Sequence, residues 1–128
     1  MRKYRVLGIM SGSSLDGLDL CMAEFTYIEE RWSFQILETL MIELPESKNN
    51  ALRKSGENIG VKETDQSYGE WIGKKINESF SSTEYDLIAT HGHTCIHKPD
   101  EQVSLQLGNA QQIANITSVR VIDNFRIQ

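Results

Sequence analysis

Two stretches of this sequence hold residues whose types and spacing suit them to chemistry. The first is Gly8-Ile9-Met10-Ser11-Gly12-Ser13-Ser14-Leu15-Asp16-Gly17-Leu18-Asp19. Gly12 and Gly17 can turn the backbone without steric cost, and the small residues Ser11 to Ser14 let it approach a ligand closely. Successive backbone N–H groups in such a turn form a concave anion site, and the serine hydroxyls add donors. Asp16 or Asp19 could then hold a Mg²⁺ ion, directly or through its waters. The same composition equally suits a tight hairpin turn that binds nothing. It is not a Walker-type loop, since it lacks Gly-Lys-Ser/Thr and precedes no expected helix.

The second stretch is His91-Gly92-His93-Thr94-Cys95-Ile96-His97-Lys98-Pro99. On an extended segment His91 and His93, two apart, would share a face as zinc ligands can. Only Cys95 and Asp100 stand nearby to complete a shell, so zinc is the weaker reading. His91 reads equally well as a packed residue supporting a strand end.

The elements that must position these stretches follow from the apolar pattern. Tyr4–Met10, Leu18–Tyr27 and Trp32–Leu44 read as three strands, the last two joined at the polar turn Glu29 to Arg31. Connections this short predict antiparallel neighbours. Pro45 ends the third strand, and Glu46 to Glu63 reads as loop or short helix. Thr64 is the expected N-cap of a helix running to about Phe80, with Tyr68, Trp71, Ile72 and Ile76 at helical spacing. Tyr85–Thr90 reads as a strand ending in the histidine stretch, and Val103–Leu107 as its hairpin partner. Asn109 is a candidate cap for a helix over Ala110–Ile116, ahead of a last strand at Val119–Ile122. The order predicts an α/β fold with a mixed sheet, its first three strands antiparallel, flanked by helices.

Composition bounds what such a fold can do. The chain has 128 residues, which suits one domain, since domains cluster at roughly 100–150 residues. A formal net charge of −5 argues against a nucleic-acid binder that neutralises phosphates. It leaves a nucleotide substrate open, because backbone N–H groups hold phosphate without net positive charge. Cys21 and Cys95 have no CxxC spacing and read as reduced, buried thiols. The apolar run in Met1 to Met10 is too short for a signal-peptide core or a membrane span, so a cytoplasmic protein without membrane association is expected.

The motifs together resemble the anhydro-N-acetylmuramic acid kinase family of the actin-like ATPase and sugar kinase superfamily. Met10 to Asp19 is similar to that family's Met-Ser-Gly-Thr-Ser-x-Asp-Gly opening, with Ser13 at the Thr position. The histidine stretch resembles its His-Gly-Gln-Thr-Ile-x-His-x-Pro, with His93 at a common Gln. Leu105-Gln106-Leu107-Gly108 and Val121 to Arg126 resemble Leu-Gln-Ile-Gly and Val-Val-x-Asp-Phe-Arg, with Asn124 where Asp is common.

The resemblance implies a ribonuclease-H-like (actin-like ATPase) domain, forming the N-terminal lobe of an ATP-dependent kinase. The full enzyme would open 1,6-anhydro-N-acetylmuramic acid with water and phosphorylate it to N-acetylmuramic acid 6-phosphate, in cell-wall amino-sugar recycling. It implies ATP-phosphate contacts at Gly12, Ser13, Ser14, Leu15, Asp16, Gly17, Leu18 and Asp19, with Mg²⁺ near Asp16. Sugar contacts fall to Thr94, Arg126, His91 and Asn124. No catalytic residue is expected within the chain, because the family's catalytic base and second lobe lie beyond the position of Gln128. By itself the chain is therefore expected to be inactive. A homodimer of the full-length protein is compatible with the resemblance. Two other readings remain: a non-enzymatic actin-like or chaperone-like ATP-binding module, and a ribonuclease-H-like nuclease using Asp16, Asp19, Glu24 and Asp86 around metal ions.

Overall fold

A computed structural model describes residues 1–11, 17–98 and 103–125. Strands β1 (Arg2–Ser11), β2 (Gly17–Ile28) and β3 (Arg31–Glu43) form an antiparallel meander. Two helices follow, α1 (Glu46–Gly56) and α2 (Val61–Ser79). Then come β4 (Leu87–Lys98), β5 (Val103–Leu107), α3 (Ala110–Thr117) and β6 (Arg120–Ile122). The sheet runs β3-β2-β1-β4-β5, with β6 also paired to β4. This is the expected mixed sheet with its first three strands antiparallel, consistent with an actin-like ATPase fold.

Alternation along the strands separates two faces. Leu7 and Ile9 of β1, Leu18, Leu20 and Met22 of β2, and Ile88 of β4 point to one side. There they form a single core with Leu52 of α1, Tyr68, Ile72 and Ile76 of α2, and Ile113 of α3. All three helices thus lie on one face. The opposite face carries Tyr4, Phe25, Trp32 and Phe34 with no described helix over it.

Two expectations change. The helix expected to be capped by Thr64 starts four residues earlier: Gly60, left-handed at φ +62°, stands at the cap and Thr64 is buried one turn inside. Glycine adopts the left-handed conformation at this turn without steric cost. The strand predicted to stop at Thr90 continues to Lys98, because β5 supplies a second partner from His93 onward. By contrast Asn109 caps α3 as expected, its side chain accepting from the Gln112 N–H at 3.0 Å. No helix among the described residues is long and apolar enough to cross a membrane.

Helices α2 and α3 meet at glycines. A Cβ on Gly69 would lie 2.6 Å from the Asn109 carbonyl oxygen and 2.7 Å from its nitrogen. Overpacking of this kind costs roughly 1–3 kcal/mol. Gly69→Ala should therefore lower the unfolding free energy in urea by about that amount. Gly56→Ala, which meets no atom within 4 Å, should instead raise it by about 0.5 kcal/mol through helix propensity. Equal effects at both positions would contradict the packing described.

Candidate functional site

Strand β4 is parallel to β1 on one side and to β6 on the other. The carboxyl ends of all three therefore emerge at one edge of the sheet, the edge where open α/β sheets bind ligands. Ser11 closes β1, the histidine stretch occupies the end of β4, and Asp123 to Phe125 follow β6. Segments separated by some eighty residues in the chain become neighbours through strand pairing alone: Ser11 stands in register with His93, and Met10 with Gly92.

That register contains a bulge. Ile9 pairs with Thr90 but Met10 pairs with Gly92, so His91 is the extra residue of β4. Gly92 takes φ +69°, and a Cβ there would fall 2.3 Å from the Leu107 carbonyl oxygen, so the bulge requires glycine. The alternation breaks at this point. His93 turns toward the helical core and is buried, while the half-buried His91 faces a narrow cleft. The shared face expected of the two histidines is not formed.

The cleft beside His91 has a volume of about 40 Å³ and is bounded by Thr90, Gly108, Asp123 and Asn124. Asp123 is also a wall of a second cleft of about 380 Å³, with Asn109, Gln111 and Val121. Asn124 adopts φ +62°, a left-handed conformation that Asn tolerates better than most residues. The Phe125 ring lies 6.2 Å from the His91 ring.

The wall opposite is fixed by Asp65 of α2. Its carboxylate accepts from the Gly108 N–H at 3.0 Å and from Asn109 Nδ2 at 3.2 Å. Its carbonyl accepts from the Asn109 N–H at 3.0 Å. One residue thereby ties α2 to the turn that starts α3, whose Gly108 lines the small cleft and Asn109 the larger one.

Beneath this edge lie buried polar groups with no hydrogen-bond partner among the described residues: Ser11 Oγ, Thr90 Oγ1 and His93 Nδ1. The Tyr68 hydroxyl stands near Ser11 without reaching good hydrogen-bond geometry. Burial pushes its pKa up to about 12, and the nearby serine offsets only part of that rise. The His93 pKa is lowered, first by burial and then by the neighbouring charge of His91. Unpaired buried polar atoms are costly, and they cluster where a polar ligand approaches.

Of the residues singled out in the sequence, the structure brings His91 and Asn124 into one cleft. Thr94 lies further along β4, in register with Gln106, which also borders that cleft. Gly17, Leu18 and Asp19 open β2, where Leu18 is a fully buried core side chain and Asp19 is exposed on the sheet's open face. Gly12, Ser13, Ser14, Leu15, Asp16 and Arg126 lie outside the described residues, as do the side chains of Cys95 and His97. Sequence reading missed Asp65, whose partners lie more than forty residues away, and gave no role to Asp123, Gln111 or Tyr68. Cys21 is half-buried and free, less enclosed than expected.

The described carboxylates of the nuclease reading do not converge. Asp19 stands opposite Met10, whereas Glu24 stands opposite Arg5 and pairs with it at 3.1 Å. Asp86 accepts from the Arg5 N–H at 2.7 Å. Five residues of strand, about 16 Å, separate Met10 from Arg5. Among the described residues no group of three or more His, Cys, Asp or Glu side chains is placed to hold a metal.

The lowered His93 pKa has a consequence for stability. As pH falls below about 6.5, the ordinary histidine value, the unfolded chain takes up a proton that the folded chain resists. Stability is therefore full above that pH and declines below it. His93→Gln should flatten this decline when urea unfolding is compared at about pH 7.5 and about pH 5.5. An unchanged pH dependence would show that His93 is not the group responsible.

Comparison with known proteins agrees with the motifs. A family profile described as anhydro-N-acetylmuramic acid kinase matches residues 4–128. A relative of that name from Actinobacillus pleuropneumoniae serotype 7 is 30% identical over 98% of this chain and 36% of its own length. Another, from Nitrosomonas europaea, is 31% identical over 94% of this chain and 35% of its own. A third, from Pseudoalteromonas translucida, is 27% identical over 94% and 35% respectively. The chain thus spans about a third of the length of the curated relatives it matches. With the profile running across nearly all of its residues, the chain belongs to the anhydro-N-acetylmuramic acid kinase family.

Proposed function

We propose that residues 1–128 form the N-terminal lobe of an ATP-dependent sugar kinase of the cytoplasm. The enzyme's substrate would be 1,6-anhydro-N-acetylmuramic acid, and its catalytic base and second lobe would lie in polypeptide outside this chain. The observation that carries the reading is the convergence of the ends of β1, β4 and β6 on one sheet edge.

The residues at that edge fit such ligands in their chemistry. A sugar presents hydroxyls that need both donors and acceptors, and His91, Asn124, Gln111 and Asp123 supply both kinds. The larger cleft of about 380 Å³ has room for one sugar ring, and Asp123 is a wall both of it and of the small cleft that holds His91 and Asn124. Thr94 and Arg126 complete the proposed sugar contacts, and a guanidinium suits the carboxylate of a muramic acid. Tyr68 and His93 lie beside Ser11, at the point where the glycine-rich turn begins, and each of the three keeps a buried polar atom without a partner among the described residues. Positioning of the reacting groups accounts for much of phosphoryl-transfer catalysis. The turn Gly12 to Asp16 would hold the nucleotide phosphates, and Asp16 a Mg²⁺ ion. Bound ATP would supply the phosphoryl group, and the metal would neutralise its charge.

Isothermal titration of the chain with the anhydro sugar and with ATP tests this. Sugar binding is expected, weakened about tenfold by His91→Ala or Asn124→Ala, the loss of roughly one hydrogen bond to a ligand. Arg126→Ala should weaken it more. Nucleotide binding without sugar binding would favour an ATP-binding module instead.

A further inference from the structure

Asp65 borders neither cleft, yet it holds the turn from which both take a wall. The Gly108 N–H donates to its Oδ1 at 3.0 Å, and Asn109 Nδ2 donates to its Oδ2 at 3.2 Å. Asn109 Oδ1 is meanwhile committed to the Gln112 N–H at the start of α3. Gly108 takes φ +112°, and a Cβ there would fall 3.1 Å from Ile72 Cδ1, so the turn packs directly on α2. Among the described residues no lysine or arginine pairs with Asp65, which leaves its carboxylate to these donors.

We propose that Asp65 is a positioning residue of the sugar site: its carboxylate fixes the Gly108–Asn109 turn, and with it the walls against which the sugar is held. The inference rests on the sugar reading proposed for this edge and adds a residue that touches no ligand. Groups that hold a ligand work only when their own supports are locked by hydrogen bonds. A carboxylate suits this turn because it is acceptor-only and its two oxygens meet two donors at once. An amide cannot do the same. In Asp65→Asn either the Gly108 N–H or Asn109 Nδ2 faces an NH₂ group. Asn109 could turn its own amide over, but its NH₂ would then face the Gln112 N–H and the cap of α3 would be lost. Exchanging the two residues restores every bond. In Asp65→Asn/Asn109→Asp the amide at position 65 accepts from Gly108 and donates to the carboxylate at position 109. The other oxygen of that carboxylate caps α3, since Asp caps about as well as Asn.

Isothermal titration with the anhydro sugar tests this, with circular dichroism to establish that each variant is folded. Asp65→Asn should weaken sugar binding about tenfold or more, and adding Asn109→Asp should restore it to within about threefold. Gly73→Ala measures a merely structural effect, because a Cβ there would lie 3.0 Å from Ile116 Cβ and Gly73 lines neither cleft. It should lower the urea midpoint and leave sugar affinity unchanged. Four outcomes would each overturn the role of Asp65 and leave the sugar reading intact. They are undiminished binding by Asp65→Asn, failure of that variant to fold, no recovery in the exchanged pair, or equal loss of affinity for Gly73→Ala. An unaltered chain that binds no sugar would overturn both.

Discussion

Parallel pairing between β1 and β4 is the constraint on which this structure depends. Six register pairs, from Val6 with Leu87 to Ser11 with His93, bring together segments that the chain itself keeps far apart. A parallel pair cannot be closed by a short turn and demands a crossover. Here α1 and α2 make that crossover, and their apolar sides supply the core that holds the two strands. Once β4 is parallel to β1, and β6 to β4, the loops that follow all three strands are brought to one edge. A candidate binding site at that edge is then a product of topology before any side chain is considered.

Side chains refine what topology supplies, and they do so from the helical layer. Asp65 reaches from α2 to the turn before α3, and Tyr68, one helical turn on, lies under the end of β1. The same helix therefore packs the core and supports both walls of the site. Gly69 and Gly73, further along the same helix, let α3 approach closely, with Ile116 against Gly73. A carboxylate that joins one backbone donor and one side-chain amide in a half-buried position gains from charge-assisted hydrogen bonding and loses little to solvent. The clefts are thus shaped by α2 as much as by the strands that carry their residues.

Much of this was legible in the sequence where the cause is local. The β2–β3 hairpin announces itself by a polar interruption of apolar runs, even though Glu29 and Glu30 both take positive φ without glycine. The Asn109 cap depends on a donor three residues away, so spacing suffices to find it. The start of α2 misled because Thr64 is a good capping residue placed where the chain had already turned at Gly60. The bulge at His91 had no local signal beyond Gly92, since a bulge is defined by the partner strand's register. Asp65 was invisible for the same reason. Family motifs reached His91 and Asn124 without geometry, but passed over Asp123, which sits beside the motif position and faces both clefts.

The bulge also has a bearing on how this site can change over generations. Along an uninterrupted strand, side chains at even and odd positions keep to their own faces. The extra residue at His91 resets that parity, so the facing of His93 is set by residue count as much as by residue type. Exchange of one side chain for another in this stretch alters one contact. Loss or gain of a single codon between Thr90 and His93 would shift the register of His93 against Ser11 and turn its side chain away from the core. Apart from Gly92, which the bulge requires, this end of the strand is accordingly open to substitution and closed to insertion and deletion.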